Sequence, residues 1–169
     1  MSKELDLMKR VAIRNTTNID TYFKYILKNA DGKVAKRSRL SISVEEILAQ
    51  CDTGNPSFVG RNRDGRHATF YIEDQDVRIY LGFESEDGKT KQEIIDEQAL
   101  LNLFDLANLS TFITQLKAKV VTMGEKQTLR DIIDSGKVNA HDRIEVAKKY
   151  LRGEALEEKK KPGRPRKNA

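Results

Sequence analysis

Ala68-Thr69-Phe70-Tyr71-Ile72-Glu73-Asp74-Gln75-Asp76-Val77-Arg78-Ile79-Tyr80-Leu81-Gly82-Phe83 is the stretch on which the fold class turns. Residues 68–72 are rich in aromatic and β-branched side chains, and Val77, Ile79, Leu81 and Phe83 fall on one face at period two, with Arg78 and Tyr80 opposite. That spacing predicts a β-hairpin whose turn is Glu73-Asp74-Gln75-Asp76. Upstream, Thr21 to Leu27 reads as a strand, Asn29-Ala30-Asp31-Gly32 as a turn and Val34 to Ile42 as the return strand. A further strand is expected around Lys9 to Arg14, with helix as the other reading there. Ser43-Val44-Glu45-Glu46 fits a capping box opening a short helix to about Gln50.

The character changes past Gly88. From about Lys91, Ile94, Ile95, Leu100, Leu103, Phe104 and Ala107 form a wide apolar stripe at helical spacing. Ser110 is placed to cap a second helix reaching about Val120. Thr122-Met123-Gly124-Glu125 forms another capping box for a helix ending near Gly136, and Asn139 with Asp142 starts a last one running to about Leu151. Strands followed by helices argue α+β. The expected fold is a small antiparallel β-sheet, two hairpins plus a short helix, followed by three to four α-helices and a disordered basic tail. The expected division is 1–88 as a β-rich domain or half-domain, 89–153 as a helical one, and 154–169 as charged linker and tail.

Composition narrows the function classes. The 169 residues suffice for one ordinary domain plus a tail, or for two very small domains. No run approaches the length of a membrane span, and the start lacks the apolar core of a secretory signal. The single cysteine, Cys51, fits a reducing compartment. An intracellular protein is expected: cytoplasm or nucleoid if prokaryotic or phage-encoded, nucleus if eukaryotic.

Charge is segregated along the chain. Of 31 Lys+Arg and 26 Asp+Glu, six cations and no acid fall in residues 159–169, which leaves 25 against 26 elsewhere. A near-neutral body with a concentrated cationic end suits attachment to a polyanion. In Lys159-Lys160-Lys161-Pro162-Gly163-Arg164-Pro165-Arg166-Lys167, the prolines favour extended backbone and Gly163 allows close approach. The narrow, strongly negative minor groove of A·T-rich DNA accepts such a strand.

Those residues resemble an AT-hook, the minor-groove peptide with Gly-Arg-Pro at its centre. The resemblance implies that Gly163, Arg164 and Pro165 form the core, with Lys159, Lys160, Lys161, Arg166 and Lys167 on phosphates. Pro162 stands where the usual motif has an arginine, which implies a weaker and less A·T-selective hook. A solubilising tail, a general RNA-binding tail or a nuclear localisation signal are the plainer readings.

A second nucleic-acid surface is expected from Lys33, Lys36, Arg37 and Arg39, and from Arg61, Arg63 and Arg66, beside Tyr22, Phe23, Tyr25, Phe70 and Tyr71. Exposed strand faces and charged turns look the same. Catalysis finds little support: His67, His141 and Cys51 fall in no nucleophile or metal spacing, and Glu73, Asp74 and Asp76 read as turn residues. No cofactor or metal is expected. Leu100 to Leu116 is a candidate homodimer interface, with an intramolecular core helix as the other reading. The expected function is DNA binding of low sequence specificity favouring A·T-rich duplex, in an architectural, nucleoid-associated or transcription-regulatory role. The alternative is a protein–protein interaction module that the tail merely localises, and RNA is a third candidate partner.

Overall fold

The computed structural model describes residues 4–156, and the chain in it is α+β. The hook residues, Lys159 to Lys167, lie outside the described residues. Five strands run β1 (Arg10–Asn15), β2 (Thr21–Lys24), β3 (Asp31–Val34), β4 (Arg39–Ser43) and β5 (Phe70–Ile72). Among the described residues the helices are α1 (Val44–Asp52), α2 (Pro56–Val59), α3 (Gln75–Tyr80), α4 (Glu97–Leu103), α5 (Leu109–Lys119), α6 (Met123–Asp134) and α7 (His141–Leu151).

β1 is the centre of a three-stranded antiparallel sheet of order β4-β1-β5, with Ile13 opposite both Leu40 and Ile72. β2 and β3 make a separate antiparallel pair. The expected return strand over Val34–Ile42 is therefore two strands. Between them Arg37 sits at φ 56, a left-handed conformation uncommon for a side-chain-bearing residue, and the turn lets β3 serve β2 while β4 serves β1. Asp31 and Gly32, read as turn residues, lie inside β3. Gly32 is there because the Phe23 ring lies over it: a Cβ would come within 2.5 Å of that ring.

The second hairpin is overturned. β5 pairs with β1, and residues 75–80 are helical. Asp74 caps that helix by accepting from the Val77 N–H at 3.1 Å, and Asp76 lies in its positive first turn. Val77 is buried, and Arg78 turns inward to donate to Glu84 Oε2 (2.8 Å) and to the Ile72 carbonyl (2.7 Å). The period-two alternation was real as a pattern. The cap and the buried ion pair decide against it. The helical half starts at Glu97 rather than Lys91, because Asp96 is the N-cap, bonded by the Ala99 N–H. Asn108, not Ser110, caps α5, and α7 starts at His141 without a side-chain cap from Asn139.

Buried apolar side chains divide into two clusters. One runs from Val11 to Phe83 and holds the edge-to-face rings Phe23, Phe58 and Phe70, with centroids 5.0–5.8 Å apart. The other runs from Ile95 to Ala147. The leucines Leu100, Leu103 and Leu116 of the expected dimer segment lie inside this second cluster. Among the described residues no helix is long and apolar enough to cross a membrane.

Asn15, 1% exposed, ties the sheet to the β2–β3 pair: its amide donates to the Val34 and Ile19 carbonyls, and its oxygen accepts from the N–H and hydroxyl of Thr17. Glu46 does a similar task. Its position predicted the second half of a capping box, but its carboxylate instead takes the backbone N–H groups of Ile26 (2.8 Å) and Leu27 (3.0 Å), leaving Ser43 alone to cap α1.

Phe70→Ala should lower the unfolding free energy by about 3–5 kcal/mol in urea titration, while Tyr80→Ala, at a 60% exposed site, should stay within about 0.5 kcal/mol. The Arg78 guanidinium holds the Glu84 carboxyl below its ordinary value of 4.5. A depressed folded pKa contributes stability that is complete above that value and is lost as pH falls through the folded one. Acid titration of stability should therefore steepen below pH 4.5. In Glu84→Gln that component should vanish, and stability at neutral pH should fall because Arg78 is left buried without its anion.

Candidate nucleic-acid interface

Of the seven cations expected to form a second surface, the fold gives Lys33, Arg37, Arg39 and Arg66 an acid partner and Arg63 two carbonyls. Lys33, on β3, pairs with Asp20 at 3.0 Å and lies 5.5 Å from the Tyr22 ring centroid. The Lys36 backbone N–H bonds the same carboxylate, and together with Lys33 it holds Asp20 below the usual carboxylate range. Arg37 pairs with Glu97 at the start of α4 and donates to Asn18 Oδ1. Arg39 pairs with Glu73 at 2.6 Å. The acids lie outside the window, at Asp20, Glu73 and Glu97, so Lys33, Arg37 and Arg39 are compensated in space though not in sequence.

The loop from Gly60 to Ala68 is wound tightly. Gly60 (φ 73), Arg63 (φ 60), Gly65 (φ 80) and His67 (φ 62) all take the left-handed conformation, and the Arg61 N–H reaches the Arg66 carbonyl at 3.3 Å. A Cβ on Gly60 would lie 1.8 Å from the Arg66 oxygen, so only glycine fits there. This winding sends the three arginines to different places. Arg63 folds back to donate to the Cys51 and Asp52 carbonyls at the C-terminal end of α1, a favourable position for a cation. Arg66 faces Glu93 at 3.7 Å. Arg61 is exposed and has no ion pair among the described residues.

The aromatic residues are sorted as sharply. Phe23 and Phe70 are core. Lys28 stands 4.1 Å over Tyr25, and Arg14 and Arg78 lie 5.5 and 4.8 Å from the Tyr71 ring centroid. Tyr22, 64% exposed, remains offered to solvent. It lines a groove of about 550 Å³ together with Arg61, Pro56, His67, Met123 and Gly124. Glu73, Asp74 and Asp76, read as a hairpin turn, instead start α3. Burial pushes the Cys51 thiol up to about 12.

At the back of this groove lies the contact that holds the two apolar clusters in register. Glu125, 4% exposed, uses Oε2 to accept from the Val121 and Thr122 N–H groups at 2.8 and 2.9 Å, completing the capping box that the sequence predicts for α6. Its Oε1 meets His67 Nδ1 at 2.6 Å. Asn18 reinforces the seam: its N–H approaches Thr128 Oγ1 at 3.3 Å and its amide donates to Asp131 at 2.9 Å. Gly124 has no side chain where Thr17 packs, and a Cβ there would stand 2.6 Å from the threonine methyl. Sequence reasoning assigned His67 only to a strand start and Glu125 only to a cap. Their pairing across the chain left no local signal.

No family model, curated protein or solved structure matches the chain.

Glu125→Ala would strip acceptors from two backbone N–H groups and the anion from His67. It should cost about 2–4 kcal/mol in denaturant unfolding, with Glu125→Gln losing less because one acceptor survives.

Proposed function

We propose that the protein binds double-stranded DNA with low sequence specificity, favouring A·T-rich duplex, through the hook-like segment Lys159 to Lys167, with Arg164 on the groove floor. The observation that supports it is the separation of charge. The folded part pairs many of its cations with its own acids: Lys33 with Asp20, Arg37 and Lys137 with Glu97, Arg39 with Glu73, and Lys119 with Glu93. Such exposed pairs add little stability, but they flatten the local field. The unmatched charge of the chain then resides in residues 159–169.

Six cations on phosphates release counterions, and this release dominates affinity. A single hook of this size binds weakly, so joining two would raise affinity through effective concentration. With Leu100, Leu103 and Leu116 engaged inside their own chain, a homodimer would draw on other surfaces. The role that fits is architectural, nucleoid-associated or transcription-regulatory: occupying A·T-rich grooves and holding the body beside them. No catalytic role is proposed.

Binding of the full chain to A·T-rich and G·C-rich duplexes across a salt series should give a slope of log K on log salt of about −5. Gly163→Glu with Arg164→Ala should reduce A·T-duplex affinity at least tenfold. A chain ending at Leu156, which keeps both apolar clusters, should lose it. Equal affinity of the double variant, or structured RNA competing better than duplex, would remove the hook as the site.

A further inference from the structure

The groove beside Tyr22 collects three kinds of group that a tail lying in duplex DNA does not use. The first is a ring nitrogen. Glu125 Oε1 holds His67 through Nδ1 at 2.6 Å, which leaves Nε2 to meet a ligand. The His67 side chain is 9% exposed, yet Nε2 has no protein partner and is not sealed from solvent among the described residues. A buried imidazole anchored through one nitrogen, held at φ 62 and lining an open groove, is a strained and pre-oriented polar contact.

The second is an anion site. The Met123 and Gly124 N–H groups at the start of the twelve-residue helix α6 have no acceptor among the described residues, and both residues line the groove. Their positive helix end is joined there by Arg61. Asp20, which also lines the groove, is already matched by Lys33 Nζ and the Lys36 N–H. The third is a flat apolar surface: Tyr22, 64% exposed, flanked in the lining by Pro56 and the 77% exposed Met123.

We infer that this groove binds one unpaired nucleotide of a single-stranded nucleic acid. Its phosphate sits on Arg61 and the Met123 and Gly124 N–H groups. Its base stacks on Tyr22, and a polar base edge or sugar hydroxyl hydrogen-bonds with His67 Nε2. A base inside a duplex has both faces covered and cannot stack on a protein ring, so the occupant is a strand already opened. An acidic peptide would satisfy the anion site but would leave the ring and His67 Nε2 unused. The groove and the hook thus serve different forms of nucleic acid, and the inference stands without the hook.

The test uses the full chain with ¹³C-methyl methionine, which carries three signals, those of Met1, Met8 and Met123. A short single-stranded oligonucleotide should shift the Met123 methyl and leave Met8 in place. The same shift should survive in Gly163→Glu/Arg164→Ala, which separates groove from hook. Tyr22→Ala and Arg61→Ala, both at exposed positions that the fold tolerates, should each raise the dissociation constant read from Met123 about tenfold. A stationary Met123 signal at saturating oligonucleotide would overturn the inference. So would unchanged affinity in both variants, an equal response to duplex, or an equal response to inorganic phosphate alone.

Discussion

The buried carboxylate of Glu125 is the interaction on which the arrangement of the molecule depends. One side chain closes the start of α6, holds the His67 ring through Nδ1 and joins the sheet-bearing half to the helical half. Each apolar cluster could be satisfied by its own chain segment. What sets their mutual position is polar: Glu125 with His67, Asn18 with Thr128 and Asp131, and Arg37 and Lys137 converging on Glu97. Polar contacts are directional, so they fix geometry where apolar contact would allow sliding. The groove beside Tyr22 exists because that geometry is fixed.

Local chemistry was legible wherever it decided local structure. Thr122 and Glu125 specify a capping box and make one, Ser43 caps α1, and the strand at Arg10–Asn15 and the four helices of the second half follow from pattern. Legibility failed where a distant partner outweighed the local period. Val77 and Ile79 alternate as a strand would, yet β1 already occupies the edge of β5, and Arg78 has Glu84 and the Ile72 carbonyl to reach. Arg37 and Arg39 sit in an acid-free window, yet Glu97 and Glu73 are brought to them. Glu46 has the spacing of a cap and clamps a turn twenty residues upstream instead. Of the three loop arginines picked out in the body, Arg61 is the one that lines the groove with Tyr22 and has no ion pair among the described residues, and nothing in its neighbourhood of sequence distinguished it from Arg63 and Arg66.

This sorting gives the charge distribution its meaning. Many arginines and lysines of the body pair with acids of the same chain, so their number alone says little about attraction to a polyanion. The cations of residues 159–169 have no acids in sequence reach beyond Glu157 and Glu158. A near-neutral body and a cationic segment are what the proposed mode of binding requires: the first would avoid indiscriminate adhesion, and the second would confine electrostatic attraction to one place.

The sheet has a consequence for how the molecule comes together. β1 must meet β4 and also β5, which puts Ile13 beside Ile72 across most of the first half of the chain. In the second half, α4 to α7 pack against near neighbours in sequence. Closing long loops before any contact repays them is slow, whereas neighbouring helices find one another quickly. The helical half is therefore the early-forming platform although it is made last, and the sheet is the late step. His67, carried on the loop just before β5, can reach Glu125 only once that last strand has docked, so the groove opens for use as assembly ends.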